Sequence, residues 1–270
     1  MIKKLFLILF FILLLFPIYM MFIGSLLDIY GIMKMPPILF PKNITLNNYY
    51  RMLQWPLLQW FFNSLFVVIV STLLSVLVSC STGYVFAFYN FKFKKYLWVL
   101  FLIGIMIPRI SILIPTFVII RKLGLSGTLL AAILPIVFSP FGLYLARNYF
   151  ESIPKSLLES ARIDGARESI ILVRIIMPIS APIVTSLGLF SAIGALQDFI
   201  WQMLVLQKDT VKTLLIGMIG EVSRRGGGDL NINPLGRGFA VSIILMLPLL
   251  IVFLVANKYF INAMDGFDSK

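Results

Sequence analysis

The chain contains no histidine and a single cysteine, Cys80. An internal disulfide is therefore impossible. Zinc sites, histidine-based triads and histidine proton relays lose their usual side chain. Charge is scarce as well: Asp, Glu, Lys and Arg make up 13% of the residues, about half of the ~25% found in soluble domains. No Gly-Lys dipeptide occurs, so a phosphate-binding loop ending in Gly-Lys-Ser/Thr is excluded. No cofactor is expected on this chain, and any ATP chemistry has to come from a partner.

What fills the chain instead is apolar. Hydrophobic residues account for 60% of the 270, and the mean hydropathy is +1.00. A soluble globule cannot hide that much apolar surface, so the composition predicts an integral membrane protein. Basic residues outnumber acidic ones, 23 to 11. They fall mostly between apolar stretches, where they face lipid headgroups and set orientation. With no compact basic domain, nucleic-acid binding is not expected.

About 20 apolar residues span a bilayer, and six such stretches can be read. Leu5 to Leu27 is uncharged and follows Lys3 and Lys4. It exceeds the ~7–15 residues of a signal-peptide core, so it reads as an uncleaved first helix. Pro56 divides the uncharged stretch Met52–Phe91. The part with Trp55 and Trp60 suits an interfacial segment, and a second span follows at about 61–89. Further spans are expected at about 96–120, 123–146, 177–205 and 238–257. Lys3, Lys4, Lys92, Lys94 and Lys95 have no acidic neighbours and favour cytoplasmic termini, whereas Arg121 and Lys122 oppose that orientation. The outward loop at about 206–237 holds Gly226-Gly227-Gly228, a turn-rich stretch. The expected organisation is a first helix and outer loop (1–60), a five-span core (61–257) and a cytoplasmic tail (258–270).

The inward loop, about 147–176, differs from the others. It carries five basic and four acidic residues, so it is not a simple topogenic patch. Pro154 is tolerated in a first helical turn. Lys155 to Ile163 can form a helix on which Glu159 and Arg162 pair at i, i+3. Gly165 permits a left-handed turn, and Asp164 can cap the helix that follows. A short helix, a sharp turn and a second helix would give a rigid knob. An ordinary amphipathic linker would share this composition.

Within that loop, Glu159-Ser160-Ala161-Arg162-Ile163-Asp164-Gly165-Ala166, followed by Met177-Pro178 and Pro182, resembles the EAA loop of ABC importer permeases. Ser160 stands where that family usually has Ala, and Met177 where it has Leu. The resemblance extends over roughly 60–205. Asn63-Ser64-Leu65, Gly83-Tyr84-Val85-Phe86-Ala87-Phe88, Met106-Ile107-Pro108 and Gln197-Asp198-Phe199 are similar to the carbohydrate-uptake branch, in its MalG-like form. Leu196-Gln197 replaces that branch's Trp-Asn, and the tail after Tyr259-Phe260 lacks its Lys-Gly ending.

The resemblance implies an all-α membrane protein with six transmembrane helices and a cytoplasmic coupling helix, the MetI-like permease fold. Glu159, Ser160, Ala161, Asp164, Gly165 and Ala166 would couple the chain to a dimer of separate ATPase subunits, which bind ATP and Mg. A second, homologous permease and an extracytoplasmic solute-binding protein would complete the importer. It would sit among the lipids of a bacterial or archaeal cytoplasmic membrane and carry a carbohydrate.

Candidate pathway residues are Asn63, Arg109, Gln197, Asp198 and Trp201. A charge as deep as Arg109 must face protein or water. It either meets an anionic or hydroxyl-rich substrate, such as an anionic sugar or sugar phosphate, or serves the structure as an internal ion pair, with Asp198 as a candidate partner, or as a hydrogen-bond hub. Trp201 suits pathway lining or an interfacial anchor, and Asn63 pore lining or a helix–helix hydrogen bond. A self-sufficient channel or ion-coupled transporter would show more intramembrane ionisable groups or internal repeats. A membrane-embedded enzyme would cluster His, Asp or Glu near the interface.

Overall fold

The computed structural model describes residues 2–225 and 233–268, with side chains for 4–223 and 233–254. The Gly226-Gly227-Gly228 stretch and the side chains of the 258–270 tail lie outside the described residues. The described elements are helices and turns. They are α1 (Ile2–Ser25), α2 (Leu57–Phe88), α3 (Lys94–Met106), α4 (Leu113–Lys122), α5 (Leu129–Val137), α6 (Pro140–Glu151) and α7 (Lys155–Ile163). These are followed by α8 (Glu168–Ile179), α9 (Ala181–Gln197), α10 (Phe199–Val205), α11 (Leu214–Arg225) and α12 (Pro234–Asp268). Three described helices are long and apolar enough to cross a membrane unaided, and three bent pairs bring the number to six.

The bends follow the prolines. The stretch expected as one span over 96–120 is two helices, α3 and the Arg109–Lys122 segment ending in α4, turned by 101°. Pro108 cannot donate a hydrogen bond and disfavours helical geometry at Ile107, which is extended at ψ 118. The fourth span starts at Leu129 rather than 123. Gly124 and Gly127, at φ 70 and 76, turn the chain after α4. Thr128 then caps α5, and Ser139 caps α6 with Pro140 at its start, after a 42° bend. In place of one fifth span over 177–205, α8 meets α9 at 90°. A break at Asp198 then separates α9 from α10.

The chain packs as two units, Met1–Phe62 with Lys212–Leu250, and Asn63–Val211 with Ile251–Lys270. In the first, Trp55 and Trp60 are buried with Met52, Leu214, Met218, Ala240 and Val241. Gly217 lets the Trp60 ring lie directly on the backbone, because a Cβ there would come within 2.3 Å of the ring. From Leu5 to Phe16, α1 is exposed on every side. That is the expected pattern for a helix whose solvent is hydrocarbon.

The second unit has two cores. Val67, Ile120, Ala131–Ile133, Trp201 and Val205 form one. Cys80, Tyr84, Ala146, Phe150, Leu158, Ala161, Ile171, Ile176 and Leu187 form the other. At ~1.5 Å per residue, the 32 residues of α2 outrun a ~30 Å hydrocarbon layer. The C-terminal end of α2 thus reaches the 147–176 loop. Gly83 allows the close approach there: a Cβ would lie 2.6 Å from Cβ of Ala146 and 2.9 Å from the Arg147 nitrogen.

Candidate functional site

The 147–176 loop folds as α7, a tight turn and the start of α8. Pro154, at φ −59, precedes the first residue of α7. Leu158 and Ala161 face the core, 2% and 8% exposed, so one side of this short helix is anchored. Glu159 and Ser160 lie on its exposed side. The Ala166 N–H donates to the Ala161 carbonyl and the Gly165 N–H to the Arg162 carbonyl, each at 3.0 Å. This is a Schellman closure, which wants a left-handed residue at Gly165, found at φ 77. Asp164 is the C-cap of α7, not the expected cap of the next helix, which starts after Arg167. The turn spends three residues before helical geometry resumes, too far for Asp164 to serve the new N-terminus. Ala166 packs against the core while Asp164 and Gly165 stay exposed.

Arg162 does not pair with Glu159. The Gly165 turn swings Glu168 alongside it instead. Arg162 Nε donates to Glu168 Oε1 at 2.8 Å, with a longer bond from Nη2 to Oε2. The Tyr84 hydroxyl donates to the same Oε2, and the guanidinium lies 5.4 Å from the centre of the Tyr89 ring. The hydrogen bond from Arg162 pulls the Glu168 carboxyl down to about 2, against the upward push of burial. The result is a clasp from α7 through α8 to the end of α2. No spacing rule pointed to it, because Tyr84 and Glu168 meet only through the tertiary fold.

The other feature is a cavity of ≈ 890 Å³ between α2, the α3–α4 bend, α5–α6 and α9–α10. Arg109 and Asp198 line it, joined by a 2.8 Å ion pair. Each stands at a break, Arg109 after the Pro108 bend and Asp198 between α9 and α10. The arginine is 55% exposed and the carboxylate 11%, so donors on the guanidinium still face the cavity. Ser75, Ser79 and Ser191 add hydroxyls, and Phe138, Phe141 and Phe190 supply apolar wall. The spacing of Ser71, Ser75 and Ser79, a four-residue polar stripe on an apolar helix, is a signal for this face.

Of the expected pathway residues, Arg109, Asp198 and Trp201 come together at the cavity. Trp201 is 4% exposed and its Nε1 donates to the Ala131 carbonyl at 2.9 Å. An anchor would keep that N–H at the wet interface, so the anchor reading is corrected to a core indole edging the cavity. Asn63 and Gln197 are not among the lining residues. Asn63 Nδ2 donates to the Thr210 carbonyl at 3.0 Å, and Gln197 is exposed at the end of α9.

Comparison with known proteins adds to this geometry. Residues 79–266 match the model of the family described as "Binding-protein-dependent transport system inner membrane component". The arabinooligosaccharides transport system permease protein AraQ of Bacillus subtilis is 32% identical over 254 residues, 93% of this chain and 88% of the relative. The trehalose/maltose transport system permease protein MalG of Thermococcus litoralis is 32% identical over 228 residues, 82% of this chain and 80% of the relative. A chain in the crystal structure of a bacterial ABC transporter that imports the acidic polysaccharide alginate superposes with a TM-score of 0.84. It is 22% identical, with 96% of this chain and 95% of that chain covered.

Proposed function

We infer the function from one premise: the chain belongs to the family of binding-protein-dependent transport system inner membrane components. It is a multi-pass permease subunit of an ABC importer, and its relatives are carbohydrate permeases. On that basis the cargo is a sugar. The translocation role belongs to this chain, and ATP hydrolysis, with its Mg, is assigned to a separate ATPase dimer.

The observation that carries the coupling assignment is the two-sided α7. One side is anchored by Leu158 and Ala161, while Glu159, Ser160, Asp164 and Gly165 are exposed around the Schellman turn. A short helix held from behind transmits a push, because its buried contacts resist sliding. We assign this exposed end to the ATPase cleft. A second permease and an extracytoplasmic binding protein complete the reading, with both termini of this chain cytoplasmic.

We place the substrate pathway at the cavity of Arg109 and Asp198. The pair offers guanidinium donors beside carboxylate acceptors, the combination that hydroxyl-rich sugars use. Because Asp198 already balances Arg109, this favours an uncharged oligosaccharide over an anionic sugar or sugar phosphate. The reading is tested by purifying the tagged chain in mild detergent and identifying its companions by mass spectrometry. A stoichiometric ATPase and a second permease are expected. Recovery of the intact chain alone, with solute transport by that chain in liposomes, would instead support a self-sufficient transporter.

A further inference from the structure

A recess of ≈ 460 Å³ opens at the N-terminal end of α3, lined by Asn90, Lys94, Lys95, Tyr96, Trp98 and Arg147 among others. No carboxylate lines it. We propose that this recess binds the phosphate of an anionic phospholipid headgroup, in the leaflet on the side of the 147–176 loop.

The recess is built rather than incidental. Arg147 lies 3.7 Å over the Trp98 ring, and its Nε donates to Glu151 at 2.8 Å. Its planar head is thus fixed at the wall. Lys94 Nζ donates to the Tyr89 carbonyl at 2.8 Å, which holds the ammonium in place and leaves two of its three N–H donors. Phe93, the residue preceding α3, adopts φ 69 and provides no side-chain cap. A bulky residue in that conformation is unusual.

The charge around the recess is mostly positive, with Glu151 the exception through its pair with Arg147. The first turn of α3 has no acid and begins with Lys94-Lys95, next to Lys92. Cations at a helix N-terminus oppose the macrodipole, where an anion is favoured. Arg147 adds a further positive charge, and Glu151 is the one carboxylate bonded to it among the described residues. A phosphate in the recess would relieve the crowding of cations and the uncapped helix start together.

The surroundings identify a lipid as the carrier of that phosphate. Tyr96 and Trp98 are the aromatic types of a membrane interface. Along the same helix Leu97, Leu100 and Ile103 are exposed at three-residue spacing, an apolar strip that acyl chains can cover. Because Arg147 opens the loop that carries α7, a bound lipid would brace the coupling element from its membrane side. This inference does not depend on the substrate.

The test uses the detergent-purified complex with its companion subunits and native mass spectrometry. Adducts are counted after titration with phosphatidylglycerol, with phosphatidylcholine and with inorganic phosphate. Phosphatidylglycerol should be retained over phosphatidylcholine. Lys94→Gln/Lys95→Gln should cut that retention about tenfold or more, given the usual contribution of each basic residue near an anionic surface. Lys94→Arg/Lys95→Arg should keep it, and unchanged size-exclusion elution of the Gln pair shows that the complex is intact. Equal retention of the two lipids, or no loss in the Gln pair, would overturn the proposal. Phosphate adducts that the Gln pair loses, without any preference between the lipids, would also overturn it in favour of a soluble anion.

Discussion

Arg162 and Glu168 close a 2.8 Å ion pair across the Gly165 turn. The same carboxylate accepts the hydroxyl of Tyr84 from the end of α2. The end of a spanning helix and the exposed knob are therefore joined through one side chain. Glu168→Gln keeps the shape and removes the charge. Hydrogen exchange across 158–168 should accelerate several-fold, and stimulation of the partner ATPase by substrate should fall more than complex yield does. Unchanged exchange in this segment would show that the clasp holds nothing.

The pair also fixes a pH dependence, and the sign follows from the direction of the shift. The Glu168 carboxyl is lowered to about 2 in the folded loop, whereas an unfolded Glu titrates near ~4.3. A depressed carboxylate stabilises the fold above the unfolded value, and that contribution is lost as pH falls toward the folded one. Protection of 158–168 should therefore be flat from pH 8 to about 5 and decline below about 4.3. Glu168→Gln should flatten that acid limb. With both side chains partly exposed, the effect is modest and shrinks in high salt.

Gly165 and Asp164 separate conformation from docking. A Cβ at Gly165 meets nothing within 4 Å, so Gly165→Val acts through backbone strain at φ 77, costing about 1–2 kcal/mol or more. Asp164→Arg reverses a charge on an exposed residue and leaves the helix buried as before. Both should insert normally, and both should lower co-purification of the ATPase. Normal transport together with normal complex yield in both variants would contradict the coupling assignment.

Gly83 lies where α2 meets α6, under the start of the loop. A methyl group there falls 2.6 Å from Cβ of Ala146 and 2.9 Å from the Arg147 nitrogen. Gly83→Ala should destabilise the detergent-solubilised protein by about 1–3 kcal/mol, the usual range for overpacking. Ala146→Gly in the same chain should restore part of the loss, since it removes the nearer atom but not the backbone. Thermal unfolding of the unsubstituted chain and the two variants checks the order.

Much of this was legible in the residues because lipid imposes simple demands. Apolar runs have to become helices, and Gly165 marked its turn without help from the fold. The bends were only partly legible. Pro108 announced a break, but no residue states an angle of 101°, which depends on packing of both halves. Pairing was least legible. The i, i+3 spacing suggested Glu159 for Arg162, and the turn supplied Glu168. Trp201 read as amphipathic, but a carbonyl 70 positions earlier in the chain, at Ala131, took its N–H. Tertiary contacts decide which of several chemically suitable partners a polar group meets.

Arg109 and Asp198 give the sharpest test of the cavity. The guanidinium is 55% exposed and the carboxylate 11%, so the two members are unequal. Removing Arg109 leaves the less exposed acid alone in a partly apolar cavity. Removing Asp198 leaves a cation that already faces the opening. Arg109→Gln should therefore lower transport more than Asp198→Asn, by roughly tenfold, while Arg109→Gln/Asp198→Asn should recover toward the milder single variant. A double variant whose loss equals the product of the two single losses would mean that the residues act independently. The pair would then be no more than two separate polar groups in the wall. If the cargo is an uncharged sugar, raising the salt concentration should leave wild-type transport affinity nearly unchanged, because no net charge on the ligand is screened. A steep loss of affinity with salt, abolished in Arg109→Gln, would instead place an anionic group of the substrate on the free side of the guanidinium.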